Sequence, residues 1–263
     1  MPLNLSCEHC YPADQTIIHW RGMRLTDPQE FDLFLQGPVR ARVMDAAFEH
    51  DFEEELQALA TTDMASDTIR NLLNSGREPL NWEIGEGIAE CLLTDELGVV
   101  WPWNENRDQK TPGASLPGAD LVGFLKSGDD VMFLFGEVKT SSDTSAPPNV
   151  LFGRSGLVHQ IDTLANATRV HFSLLKWLRA RCTGNEFEPL YQEAATRYIH
   201  SKGRDIALAG ILLRDTGVNE DDLRSRGEAL VGVTQGVMRV RLDAWYLPRS
   251  VEDWGAIIKS AAA

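Results

Sequence analysis

The sequence predicts an α/β protein, a central mixed β-sheet flanked by helices, preceded by a mainly helical acidic region. Three observations carry this expectation. Apolar runs of strand length, at residues 120–125, 131–139, 206–213 and 238–247, are separated by segments of helical period. Their order (helix, two strands, helix, strand, helix, strand) suits a sheet with parallel and antiparallel neighbours. The chain has 263 residues, 43% hydrophobic and 24% charged, which suits one large domain or a core with an appendage and excludes a disordered or fibrous chain.

The elements follow in order. Residues 1–76 form the acidic, mainly helical region, with turn signals at Asp27-Pro28 and Gly37-Pro38. Residues 77–263 form the second unit. A helix over 82–97 is closed by Gly98, followed by the apolar run Val99–Trp103 and a Gly/Pro-rich loop over 104–118. The runs 120–125 and 131–139 are joined by Lys-Ser-Gly-Asp-Asp and read as a hairpin. A loop over 140–156 leads to one long helical pattern, 157–181. Then come the strand 206–213, a polar helix over 220–230 and the strand 238–247.

The hairpin carries the chemistry. Gly128-Asp129 suits a two-residue turn with Gly first, so residues whose numbers sum to 257 face each other. Asp120 then lies opposite Glu137, and the two-residue period puts Lys139 on the same face. Facing carboxylates repel unless something neutralises them, and a divalent cation does so naturally. A strand end meets water and can carry one charge at no cost, but Asp, Glu and Lys converging from two apolar strands ask for a reason. In the preceding helix, Glu86 falls between Leu93 and Leu97 on the helical wheel and heads an apolar stripe, with Glu83 and Glu90 toward the polar side.

Glu86 on a helix, Gly118-Ala119-Asp120 on one strand and Gly136-Glu137-Val138-Lys139 on the next resemble the PD-(D/E)XK, or restriction-endonuclease-like, nuclease superfamily over residues 82–165. Ala119 stands where the family's nominal Pro would be. The resemblance implies a restriction-endonuclease-like core and hydrolysis of phosphodiester bonds, most plainly in DNA. It implies Mg²⁺ or Mn²⁺ held by Asp120 and Glu137 with support from Glu86, and Lys139 orienting water and stabilising charge on phosphorus. Gln160 matches by position a glutamine found in some members. The layout also resembles nuclease subunits of bacterial antiphage defence systems, such as the Hachiman nuclease, which implies a protein partner such as a helicase or ATPase. A catalytically silent subunit of the same fold, used for binding or assembly, is the rival reading, and the intact Asp120, Glu137 and Lys139 set argues against it.

Charge qualifies this picture. With 39 acidic and 25 basic side chains the chain carries −14, so it is no general nucleic-acid coat. From Lys139 to Arg181 there are six basic residues against two acidic ones, and Arg154, Arg169 and Lys176 there, with Arg107 and Lys110 before Asp120, are candidate phosphate contacts. The segment 45–67 has eight carboxylates and no Lys or Arg: a solvated helix face or the docking site of a basic partner.

Other chemistries find less support. Cys7-x-x-Cys10 near His9 and His19 suggests zinc, but a structural site needs four ligands and there is no second such pair. No HExxH, GxSxG, P-loop or GxGxxG pattern occurs. Four scattered cysteines, no leader-like amino terminus and a longest apolar stretch of only residues 206–213 lead to the expectation of a soluble, cytoplasmic protein.

Overall fold

In the computed structural model, described for residues 3–11, 18–73, 78–110, 118–128, 130–231 and 238–260, a six-stranded mixed sheet lies between two layers of helices. Its strands are β1 (Cys7–Tyr11), β2 (Ile18–Leu25), β3 (Leu121–Ser127), β4 (Asp130–Ser141), β5 (Ile206–Arg214) and β6 (Arg239–Tyr246). Across the sheet they run β1-β2-β6-β5-β4-β3, the four central strands parallel and the two edge pairs antiparallel. The helices are α1 (Pro28–Phe34), α2 (Arg40–Val43), α3 (Ala46–Leu59), α4 (Asp63–Leu73), α5 (Asn81–Leu97), α6 (Glu105–Asp108), α7 (Leu157–Asn166), α8 (Thr168–Cys182), α9 (Glu188–His200), α10 (Arg224–Val231) and α11 (Trp254–Ser260).

The four predicted strands are present, as are α5 with Gly98 in the left-handed conformation and the hairpin in its expected register: Leu121 faces Gly136 and Ser127 faces Asp130. Gly128 has φ 63°, as a primed turn requires, and Asp129 lies outside the described residues. Alternation splits the core. Val131, Phe133 and Phe135 of β4 join Leu157, Ile161, Leu174 and Leu178 of α7 and α8 on one face. Met132, Leu134 and Val138 join Ile84, Ile88 and Leu92 of α5 on the other.

Four expectations change. The N-terminal region is not helical throughout, because β1 and β2 extend the main sheet through β6, and the boundary drawn at 76/77 lies outside the described residues. Burial of Ile18, Met23 and Leu25 secures β2, whose polar His19 and Arg21 hide its alternation in the sequence. Asp27 caps α1 through the backbone N–H groups of Gln29 and Glu30, as its turn signal suggests, but Gly37-Pro38 sits inside a wide helical turn, Leu35–Val39, that tolerates the missing proline N–H. The pattern 157–181 is two helices broken at Ala167, where buried His171 donates from Nε2 to the Leu164 carbonyl at 2.5 Å and satisfies a helix-end acceptor. The polar stretch 220–230 begins as a short tight turn, Glu220–Asp222, before α10, and the whole of α9 was hidden by its sparse apolar content, with Ala194 its buried residue.

Candidate functional site

Below the site, β4 buries the column Val131, Phe133 and Phe135 on one face; by alternation Glu137 and Lys139 continue it, so the charges cap an apolar column at the strand's C-terminal end. Asp120 enters from the start of the edge strand. Its Oδ2 accepts from the Val138 backbone N–H at 2.9 Å and from Lys139 Nζ at 3.5 Å, and Lys139 Nζ donates to Glu137 Oε2 at 3.0 Å. The predicted juxtaposition of Asp120, Glu137 and Lys139 is therefore present as a contact between three side chains.

Burial separates their roles. Glu137 is only 2% exposed. Desolvation first, then the field and hydrogen bond of Asp120, push its carboxyl up to about 8 against the pull of Lys139. Near neutral pH Glu137 therefore keeps its proton, beside the Lys139 ammonium. Burial works against the Lys139 ammonium, but Asp120 and Glu137 outweigh it and hold its pKa above the ordinary value.

Glu86 faces the same region from α5. Burial, then Asp120, Glu105, Glu90 and Glu83, raise it to about 10. Gly85 makes this approach possible: a Cβ there would stand 2.7 Å from Thr140 Oγ1 on β4. The expected polar placement of Glu83 and Glu90 is corrected, since both are buried. Glu90 takes a two-pronged ion pair from Arg42, at 2.5 and 2.9 Å, and Glu83 accepts from the Leu80 N–H at 2.8 Å and from Gln109 at 3.1 Å. An amphipathic wheel misses this because the helices before α5 cover its second side with an arginine.

Gln160 lies on α7 between Leu157 and Ile161, which pack 3.5 Å from the Cβ position at Gly210, the β5 partner of Glu137. Its Oε1 is buried without a hydrogen-bond partner among the described residues, an orphaned acceptor on α7. Sequence reading missed Glu105, which joins the field on Glu86, and Arg214, which clamps the loop leaving β4. Arg214, 1% exposed, donates to Asp222 Oδ1 at 3.0 Å and to the carbonyls of Asp143 at 2.5 Å and Ser145 at 3.2 Å. Its position at the end of an apolar strand was the available signal.

The donor set suits a hard cation. Among the described residues no group of three or more His, Cys, Asp or Glu side chains is arranged to hold a metal. Asp120 and Glu137 would hold Mg²⁺ or Mn²⁺, with water and phosphate oxygens completing the shell and Glu86 supporting the site from α5. The proton that Glu137 retains marks where positive charge is wanted. Cys7 and Cys10 are free thiols on β1.

Arg107 is held by Asp45 at 2.8 Å and lies 5.0 Å over the Phe48 ring. Arg181 pairs with Asp108 at 2.7 Å. Lys110, Arg154, Arg169 and Lys176 are exposed and make no ion pair with a described residue. No helix among the described residues is long and apolar enough to cross a membrane. The chain matches no protein-family model and no curated protein.

Proposed function

We propose that the chain is a metal-dependent nuclease of the restriction-endonuclease-like type, hydrolysing phosphodiester bonds in DNA as the effector subunit of an antiphage system. The observation that carries this reading is Lys139 Nζ reaching both Glu137 and Asp120 at the rim of the sheet. In this reading Mg²⁺, when bound, supplies Lewis acidity toward the scissile phosphate and lowers the pKa of a bound water. Asp120, fixed by the Val138 N–H, and Glu137, once deprotonated, hold the cation. Lys139 orients the attacking water and offsets the charge that builds on phosphorus. Glu86, kept protonated near neutral pH by burial and the neighbouring carboxylates, supports the metal site once a cation draws its proton off. Gln160 turns its unpartnered amide oxygen to a water or nucleotide donor.

The charge balance agrees with a protein partner, such as the helicase or ATPase that the resemblance implies, since −14 opposes approach to a polyanion. The silent-subunit reading draws on the raised Glu137 carboxyl, whose retained proton lessens its repulsion with Asp120. Incubation of the purified chain, alone and with its partner, with plasmid and oligonucleotides in Mg²⁺, Mn²⁺ or EDTA separates the two. Metal-dependent cleavage lost in Glu137→Ala supports the nuclease, and inertness in every combination supports the silent subunit.

A further inference from the structure

Helix α3 is 14 residues long and has no buried residue, although core packing is what normally stabilises a helix of this length. Its Phe48, Phe52, Leu56 and Leu59 recur at helical spacing, and the two phenylalanine rings stack with centroids 5.9 Å apart. Phe48 is 39% and Phe52 41% exposed, and Leu59 is 76% exposed. On α4, Met64 and Leu72 are exposed as well. The helix is anchored at its start by the Asp45–Arg107 pair, so it is held outward in a fixed place. Beside it a groove of about 410 Å³ runs between α2, α3 and the start of α5, with Val43, Met44, Leu73 and Pro79 in its floor and Glu49 and Glu53 on its wall. The only cationic side chains at this groove among the described residues are Arg40 and, when protonated, His50.

We propose that this groove docks a lysine- and arginine-rich amphipathic helix of a partner protein. Val43, Met44, Leu73 and Pro79 receive the partner's apolar side, as helix-in-groove recognition does. Glu49 and Glu53 meet its cations, with no Lys or Arg between Asp45 and Ile69 to oppose them. Charge complementarity selects this occupant. A phosphate backbone is repelled by five carboxylates on one helix, and a two-fold contact with a second copy would set this acidic face against itself. The inner wall of the groove includes Glu83, one turn from Glu86 on α5, so the docked helix lies against the element that faces Asp120. The inference rests on the partner reading but not on catalysis, so binding and cleavage fail separately.

The test is a fluorescein-labelled amphipathic peptide of about 20 Lys and Leu residues, ~30 Å long as a helix, titrated with the full chain and followed by anisotropy. Binding that weakens with salt, falls about tenfold in Glu49→Lys/Glu53→Lys and in Met44→Ser, and persists in the charge-matched Glu186→Lys/Glu252→Lys is the expected result. A Glu/Leu peptide of equal length should not bind. Equal loss in the charge-matched control, or none in the groove variants, overturns the proposal. So does a dimer of the chain alone, seen by sedimentation, that Glu49→Lys/Glu53→Lys dissociates, because a second copy is then the occupant. Melting curves verify that each variant is folded.

Discussion

The carboxylate of Asp120 accepts a 2.9 Å hydrogen bond from the backbone N–H of Val138, the residue between Glu137 and Lys139. That bond ties the start of the edge strand to the two charged side chains of the neighbouring one. It fixes one carboxylate by backbone geometry, while burial fixes the other. The site is thereby preorganised before any ligand arrives, which electrostatic catalysis requires.

Removing any of the three contacting groups should stop the reaction. Asp120→Ala, Glu137→Ala and Lys139→Ala are each expected to lower single-turnover cleavage by about 10²–10³ or more, with circular dichroism unchanged. Asp120→Ala should lose most stability, because the Val138 N–H is left without its acceptor. Near wild-type cleavage by a folded variant removes that residue from the reaction.

Metal stabilisation should depend on pH with a definite sign. Glu137 is raised from 4.5 to about 8, so the folded chain binds more protons than the unfolded one between these values. Its contribution therefore favours folding below the ordinary carboxyl range and is lost as pH rises toward 8. A cation that displaces the Glu137 proton binds better where that proton has already left. Mg²⁺ should thus raise Tm more at pH 8.5 than at pH 6, and Asp120→Asn should abolish the rise. A shift of equal size at both pH values, or one retained in Asp120→Asn, places the ion elsewhere.

Much of this site was legible because a hairpin register is set by local rules. Gly128 fixes the turn, the turn fixes the pairing, and the pairing sets Asp120 against Glu137. Glu86 was legible from helical phase, but Glu90 was not, because its burial depends on Arg42, 48 residues away. The same applies to β2, whose place beside β6 is set by pairing more than 200 residues apart. The single helix expected over 157–181 failed where a buried histidine, rather than a Pro or Gly, makes the break. That Arg107 and Arg181 are engaged by Asp45 and Asp108 was not legible either, because both partners are distant in sequence.

Gly85 should be intolerant of a side chain for one identifiable reason. Alanine is the better helix former by about 1 kcal/mol, so substitution would stabilise α5 if space allowed. The 2.7 Å approach to Thr140 Oγ1 does not allow it, and overpacking of this kind costs roughly 1–3 kcal/mol. Gly85→Ala should lower stability in urea unfolding, and Gly85→Ala/Thr140→Ala should recover most of the loss. A single variant as stable as wild type would mean that α5 moves off β4 freely.

The isolated chain should bind DNA weakly and without strong salt dependence. Its charge of −14 gives a repulsive long-range field, which slows encounter with a polyanion most at low salt, where screening is least. The exposed cations Arg154, Arg169 and Lys176 offer few phosphate contacts, and each neutralised phosphate adds about 0.9 to the logarithmic salt slope on duplex DNA. Three contacts would give a slope near −3, far below that of a dedicated DNA-binding protein. A partner that supplies cations and delivers the strand should therefore raise affinity and cleavage together. Labelled duplex and single-stranded DNA titrated across a salt series measures the slope directly. Submicromolar binding by the chain alone with a steep slope would show that its cations converge on one DNA path, and would remove the need for a partner in substrate capture.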